Sequence, residues 1–201
     1  MRYKTDQKEK TRQLMLDAAG RGFRKHGYAG IGVDGLAKAA GVTSGAFYSH
    51  FGSKDGAFEL ALTAGLDEVI EALPRFQSEH GKNWVVAFAE YYLGKSHRNS
   101  LDCGCAMATL TPEAVRFGAK VHTIFEKKML IIAGLIAKGL AGNSNEECLT
   151  RAWSMLGVLI GGINVARAMK SAKISEEVAE AIKATAIQAA GRARTIDTNK
   201  G

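Results

Sequence analysis

Residues 41–58, GVTSGAFYSHFGSKDGAF, combine side chains suited to a polar contact with side chains suited to packing. Small hydroxyl residues, a tyrosine, a histidine and a lysine carry the donors and acceptors that base edges and phosphates of DNA require. Six residues are the candidate DNA contacts: Thr43, Ser44, Gly45, Tyr48, His50 and Lys54. Three rings of the same stretch are predicted to lie in the core: Phe47, Phe51 and Phe58.

Two short helices, over about 33–40 and 44–50, must position these residues. Gly41 lies in the turn between them, where a tight connection needs a residue that enters the left-handed region without strain. The pattern predicts a helix-turn-helix, whose second helix enters the major groove. Thr43, Ser44 and Gly45 would then lie at the groove floor, while Tyr48 and Lys54 would reach phosphates.

The segment DGLAKAAGVTSGAFYSHFGSKDGAF, preceded by GFRKHGYAGI, resembles the N-terminal DNA-binding domain of the TetR family of transcriptional repressors over about residues 8–60. The resemblance implies an all-α homodimer with a small DNA-binding domain and a larger, variable domain that binds a small-molecule inducer and dimerises. By position, residues 43–45, Tyr48 and His50 match recognition-helix contacts, and Lys54 matches a phosphate-contacting lysine. The segment IGVDG departs from the family pattern, because glycine stands at position 32, where a threonine or serine cap is common, and the second helix is expected to begin less firmly.

Composition and charge agree with a nucleic-acid partner. The 201 residues carry a net charge of +7 with 46% hydrophobic content, which fits a globular protein with an anionic partner. The first 60 residues hold ten basic and six acidic side chains, so the basic excess is concentrated there. No uninterrupted apolar run of about 18 residues occurs, and three cysteines form no disulfide scaffold, so a cytoplasmic protein is expected.

The remaining chain also has helical periodicity, and about nine helices are predicted in an all-α fold. Pro112 is expected to open a long helix to residue 140, Ser144 to cap the next, and Ser175 to begin a last helix that fades near Arg194. The fourth helix should run over about 53–73, as a link. The predicted domains are a helix-turn-helix domain at 1–54, a helical-bundle ligand-binding and dimerisation domain at 55–195 and a flexible tail at 196–201.

The larger domain contains many aromatic and apolar residues that either form its core or line a pocket for a mostly apolar inducer. The candidate ligand contacts are Trp84, Phe88, Tyr91, Tyr92, Met107, His122, Phe125 and Trp153. Small residues recur along the last two long helices, which allows either close packing within the chain or a two-fold dimer interface.

The segment LDCGCAMATLTPEA leaves two readings of Cys103 and Cys105 open. Their spacing does not match a zinc site, so no metal and no cofactor are expected. They are either packed structural cysteines or thiols that sense oxidants or electrophiles. A small helical enzyme using His122, Glu126 and Cys105 lacks any triad or carboxylate pair, so no enzymatic activity is expected.

The function predicted from these features is a ligand-responsive repressor that binds a palindromic operator as a homodimer and is released by a small-molecule inducer. The alternative is a thiol-sensing repressor that uses Cys103 and Cys105. An activator and an architectural DNA-binding protein stay open as well.

Overall fold

The computed structural model describes residues 2–102 and 104–194, with side chains from Glu9 onward. In these ranges the regular elements are ten α-helices and one 3-10 turn. An isolated antiparallel bridge pairs Leu140 with Ala193. The predicted all-α fold is confirmed, with ten helices rather than about nine. The helices are α1 (Arg2–His26), α2 (Val33–Ala39), α3 (Ser44–Phe51), α4 (Lys54–His80), α5 (Trp84–Leu93), α6 (Lys95–Asn99), α7 (Ala106–Ala114), α8 (Ala119–Gly139), α9 (Asn145–Ala168) and α10 (Ala172–Ala190).

Glycines with positive φ follow the first two helices, and Gly41 lies in the turn where the sequence predicts it. Gly27 follows α1 with φ 71°, and Gly41 follows α2 with φ 69°. Both lie in the left-handed region, which costs an L-residue with a Cβ but not glycine. The turn between α2 and α3 therefore has the conformation that the helix-turn-helix requires.

Both prolines lie inside helices, which corrects two predicted helix bounds. α4 continues through Pro74 to His80, because Leu73 and Gln77 are buried on either side of the proline and hold the helix in place. Pro112 lies within α7 instead of opening a helix to residue 140. The helix starts earlier because the small apolar residues from Ala106 are buried, and it ends at Ala114, before the turn that leads to α8.

The last helix also begins and ends earlier than predicted. Ser171, not Ser175, caps α10 by accepting a hydrogen bond from the Ile174 amide at 3.5 Å. Ser175 is already within the helix, since its amide donates to the Ser171 carbonyl. α10 ends at Ala190 because Gly191 adopts φ 68°, so the predicted extension to Arg194 is wrong. Ser144 caps α9 as predicted, by accepting from the Glu147 amide at 3.1 Å.

The chain divides into two compact units. The first contains residues up to Leu66 together with Leu101–Phe125, and the second contains Asp67–Ser100 together with the chain from Glu126. The first unit therefore includes α7 in addition to the helix-turn-helix. The predicted domain boundary at residues 54 and 55 stays a prediction, and the predicted tail at 196–201 lies outside the described residues.

The core of the first unit is aromatic. Phe23, Phe47 and Phe58 are fully buried, and Phe51 is nearly so, as predicted for the three phenylalanines of the opening motif. Phe117, from the segment that follows α7, stacks on the Phe58 ring at 4.4 Å between centroids. The helix-turn-helix is thus packed on residues distant in sequence.

The second unit is built on the pair α9 and α10. A Cβ at Gly162 would lie 2.1 Å from Ile182, so this glycine lets the two helices approach closely. Of the described helices, α9 is long and apolar enough to cross a membrane, by length and composition only. Its buried residues, such as Met155, Leu159 and Ile163, identify it as the core helix of this unit.

Candidate DNA-binding interface

Helix α3 separates its packing residues from its exposed residues. Phe47 and Phe51 are buried, whereas Tyr48 is 51% exposed and Gly45 is exposed. Outside its own helix backbone, a Cβ at Gly45 would meet the Thr43 hydroxyl at 3.9 Å and no other atom of the described residues within 4 Å, so the space beside it is open. The exposed face can therefore approach a flat or grooved surface closely.

The first turn of α3 is fixed by two side-chain hydrogen bonds. The Thr43 hydroxyl oxygen caps the helix by accepting from the Ala46 amide at 3.2 Å. The Ser44 hydroxyl donates to Oδ1 of Asp34, in the first turn of α2, at 2.5 Å. Gly32 caps α2 without a side-chain hydrogen bond, as its departure from the family pattern implied.

Lys54 begins α4 beside an aromatic ring. Its ammonium lies 4.2 Å from the centroid of the Tyr28 ring, and the Tyr28 hydroxyl donates to the Asp55 carboxylate. Burial and the neighbouring Asp55 raise the pKa of Tyr28 to about 12, so the phenol stays neutral and its ring can attract the cation. His50 and Lys54 are both half-buried, at the end of α3 and the start of α4.

Contacts from Asp102 and from residues 104–125 hold this region in place within the same unit. Phe117 contacts the Tyr28 ring edge-on at 4.7 Å, and the Lys120 ammonium pairs with the Glu59 carboxylate at 2.6 Å. Arg24 of α1 donates to the Asp102 carbonyl at 2.9 Å. These contacts fix α1 and the first half of α4, and with them the position of Lys54.

Three residues at this interface carried no role in the sequence analysis: Tyr28, Asp34 and Phe117. Tyr28 is part of the quoted motif GFRKHGYAGI, so that motif was the available signal. Asp34 could have been found by placing the first turns of the two motif helices side by side. Nothing local marks Phe117, because its contacts come from distant parts of the chain.

The predicted ligand contacts are divided between the two units. Five lie in the second unit: Trp84, Phe88 and Tyr92 are buried, Tyr91 is 64% exposed and Trp153 is 38% exposed. The Trp84 indole donates to the Gly139 carbonyl at 3.0 Å. Met107, His122 and Phe125 lie in the first unit, where they are fully buried, exposed and half-buried, respectively.

Beside Tyr92 the second unit buries polar groups. His97 is packed edge-on against the Tyr92 ring at 4.9 Å, and its Nδ1 lies 2.6 Å from the Tyr92 carbonyl. Arg167 donates to the His97 carbonyl at 2.6 Å, and Arg98 pairs with Glu176 of α10. Burial lowers the pKa of His97, and the Arg167 cation lowers it further.

The cysteines are distributed over both units. Cys105 is half-buried at the N-terminal cap of α7, and Cys103 lies outside the described residues. Cys148 is buried in the second unit, with its thiol 3.7 Å from the Leu140 carbonyl. In the part of the chain that the structure describes, no group of three or more histidine, cysteine or acidic residues could hold a metal ion.

Known proteins resemble the chain most closely around this interface. Residues 15–61 match the family model of bacterial regulatory proteins of the tetR family. The HTH-type transcriptional regulator AcrR of Shigella flexneri is 46% identical over 59 residues, which are 29% of this chain and 27% of that protein. The HTH-type transcriptional repressor NemR of Escherichia coli (strain K12) is 23% identical over 144 residues, covering 70% of this chain and 72% of that repressor.

Solved structures extend the likeness to the whole fold. The reduced form of E. coli NemR superposes with a TM-score of 0.69 at 18% identity, covering 88% of this chain and 97% of that one. A TetR-family regulator from Cytophaga hutchinsonii gives a TM-score of 0.70 at 21% identity, covering 90% and 96%. Residues 15–61 therefore form a DNA-binding domain of the tetR family of bacterial regulatory proteins, and the fold of the chain is similar to that of solved TetR-family regulators.

Proposed function

We propose that this TetR-family repressor binds a palindromic operator as a homodimer, in the cytoplasm, and is released by a small-molecule inducer. The exposed face of α3 carries the proposal, because Gly45 and the half-exposed Tyr48 leave it open while Phe47 and Phe51 fix it from behind. A single recognition helix contacts only a few bases. Two copies about 34–36 Å apart, one helical turn of DNA, would supply the affinity.

In this proposal each candidate contact has a role. Residues 43–45 lie at the start of α3 and read base edges, while Tyr48 and His50 contact the backbone. Lys54 contacts a phosphate, aided by the amides in the first turn of α4. The Tyr28 ring supports this lysine without neutralising its charge.

The open stripe of α9 supports the homodimer. Apart from its chain neighbours and its own helix backbone, a Cβ at Gly157 or Gly161 would meet no atom of the described residues within 4 Å, whereas one at Gly162 would meet Ile182. Val165 on the same helix is 49% exposed. Small and apolar residues on an exposed helix face allow a second copy to pack closely.

The inducer is proposed to act by population shift. A ligand that binds better to a dimer with wrongly spaced recognition helices weakens operator binding by that difference in affinity. The five predicted ligand contacts of the second unit are one candidate site, with the buried Tyr92 and His97 as polar groups beside apolar rings.

The experiment is selection of DNA duplexes from a random library by the full-length protein, followed by anisotropy titrations at several salt concentrations. A two-fold symmetric sequence, bound by two protomers with an affinity that falls steeply with salt, is expected. Failure to enrich any sequence, or a complex insensitive to salt, would contradict the proposal.

A thiol-responsive repressor is a second candidate function. Cys105 caps α7, which packs on α1 within the same unit as the helix-turn-helix, so modification of this thiol would act on the DNA-binding unit directly. Peroxide or quinone treatment of the protein, with mass spectrometry and operator binding followed together, tests this candidate. Unmodified Cys103 and Cys105 with unchanged binding would rule it out.

A further inference from the structure

The hydrogen bond between Ser44 and Asp34 joins the two helices of the motif on their exposed side. Ser44 is the first residue of α3 and is half-buried, while Asp34 is exposed in the first turn of α2. The Ser44 Oγ and the Asp34 Oδ1 are 2.5 Å apart. The contact therefore lies where the proposed function places the base edges.

This contact fixes the direction of the Ser44 hydroxyl proton. An ionised carboxylate only accepts hydrogen bonds, and a serine hydroxyl has one proton and two acceptor lone pairs. With that proton donated to Asp34, Ser44 can offer only an acceptor to another group. Without Asp34 the hydroxyl would rotate and could either donate or accept.

The Thr43 hydroxyl has the opposite hydrogen-bonding role. Its oxygen accepts from the Ala46 amide at 3.2 Å, which leaves its hydroxyl proton available for donation. Two adjacent hydroxyls thus differ in chemistry, the first a donor and the second an acceptor.

In the major groove, base edges also differ in whether they present a hydrogen-bond donor or an acceptor. Adenine N6 and cytosine N4 present amine donors, while thymine O4 and guanine O6 and N7 are acceptors. We propose that Asp34 is a specificity-determining residue, which orients the Ser44 hydroxyl to accept from the exocyclic amine of an adenine or a cytosine at one position of each half-site. The inference rests on the proposed function, because it requires α3 to lie in the major groove.

Two simpler roles for Asp34 predict different behaviour. An acidic residue in the first turn of a helix is stabilised by the helix dipole, and this role affects stability alone. A carboxylate near DNA also repels phosphates, and this role lowers affinity for every sequence equally. Only an orienting role changes which base is preferred at one position.

The test compares base preferences of the full-length protein, obtained by library selection, for the wild type, Ser44→Ala, Asp34→Ala and Asp34→Asn. The wild type is expected to select adenine or cytosine at a symmetric pair of positions, with at least about fivefold weaker binding of thymine or guanine. Ser44→Ala and Asp34→Ala should both reduce this discrimination to within about twofold while leaving the other positions unchanged. Asp34→Asn should also weaken it, because an amide can donate to Ser44 and reverse its hydroxyl.

A modified operator tests the same hydrogen bond directly and separates the two amines. N6-methyladenine or N4-methylcytosine at the selected position keeps pairing but covers the groove-side proton. The methylated form of the base that Ser44 contacts should weaken wild-type binding by about fivefold or more and leave Ser44→Ala nearly unaffected. The modified base that has this effect identifies the amine that Ser44 contacts.

Asp17→Ala is the matched control, because it removes the same charge from an exposed position on α1. It should change no base preference. A base-preference profile for Asp34→Ala identical to that of the wild type would overturn the inference. That result would overturn it even if Asp34→Ala bound all sequences more tightly or was less stable, because those changes belong to the two simpler roles. If the wild type itself selects no sequence, the proposed function fails instead, so the two failures are distinguishable.

Discussion

The Lys54 ammonium lies over the face of the Tyr28 ring, 4.2 Å from its centroid, while the Tyr28 hydroxyl donates to Asp55, the next residue along the chain. The ring therefore holds the lysine by a cation–π contact and the following carboxylate by a hydrogen bond. Phe117 contacts the same ring at 4.7 Å, so its orientation is set by core packing. A lysine supported by a neutral ring keeps its full charge for a phosphate.

Replacement of Lys54 should weaken DNA binding at every sequence. Lys54→Ala removes one phosphate contact, so the slope of log K against log salt should fall by about 1, and base preferences should stay the same. Anisotropy titrations from low to moderate salt measure this slope. Lys82→Ala, at an exposed lysine of the second unit, is the control and should leave it unchanged. An unaltered slope for Lys54→Ala would remove this residue from the phosphate contacts.

The hydroxyl of Tyr48 should matter more than that of another exposed tyrosine. Tyr48→Phe keeps the ring that packs beside Phe47 but removes the group proposed to reach a phosphate. A loss of about 1 kcal/mol of binding free energy is expected, the worth of one hydrogen bond, equally for specific and non-specific duplexes. Tyr91→Phe, 64% exposed in the second unit, is the matched control. Equal affinities for both variants would contradict the assignment.

The division of α3 into a buried and an exposed face was predictable from sequence, because it depends on the local spacing of residues along a helix. Phe47 and Tyr48 differ in burial as the helical period requires, and Gly41 has the positive φ that the turn demands. The place of Pro112 within its helix was not predictable in this way, since a proline can lie in the first turn of a helix or, where packing holds the helix, in its interior. Burial of the residues from Ala106 extends the helix before Pro112 and so places the proline in the interior. Phe117 depends on contacts between distant segments, which carry no local signal.

Substitution by alanine at the two glycines of the helix-turn-helix, Gly41 and Gly45, should have different effects on the free energy of unfolding. In Gly41→Ala the added Cβ meets no atom of the described residues within 4 Å beyond its chain neighbours, but the φ of 69° should cost about 1–2 kcal/mol of unfolding free energy. Gly45→Ala lies in the first turn of α3 with open space around it, so stability should stay the same or rise by up to about 1 kcal/mol. Its methyl group would face the bases, so operator affinity should fall. Urea unfolding and anisotropy on both variants check this, and a destabilised Gly45→Ala would contradict it.

The proposed dimer interface predicts that an arginine has different effects on the oligomeric state at Gly161 and at Gly134. Among the described residues a Cβ at either glycine meets nothing within 4 Å beyond its chain neighbours and its own helix backbone. Gly161→Arg on α9 should yield a monomer, because the long charged side chain would occupy the exposed stripe that a second copy packs against. Gly134→Arg on α8 is the control and should stay dimeric. Analytical ultracentrifugation of both variants, with circular dichroism to confirm helicity, makes the comparison. A dimeric Gly161→Arg would place the interface elsewhere.

Stability should fall in mild acid because of His97. Burial and the Arg167 cation lower its pKa in the folded protein below the value of about 6.5 expected for the unfolded chain. Above that pH the imidazole is neutral in both states and contributes no pH dependence. Below it the unfolded chain binds the proton more tightly, so the free energy of unfolding should decrease by up to about 1.4 kcal/mol per pH unit, until the pH reaches the folded pKa. Urea unfolding between about pH 5.5 and 7.5 measures the slope. His97→Gln should be less stable at neutral pH, but its unfolding free energy should depend less steeply on pH. His122→Gln changes an exposed histidine and should keep the wild-type slope. Equal slopes in all three proteins would contradict the assignment to His97.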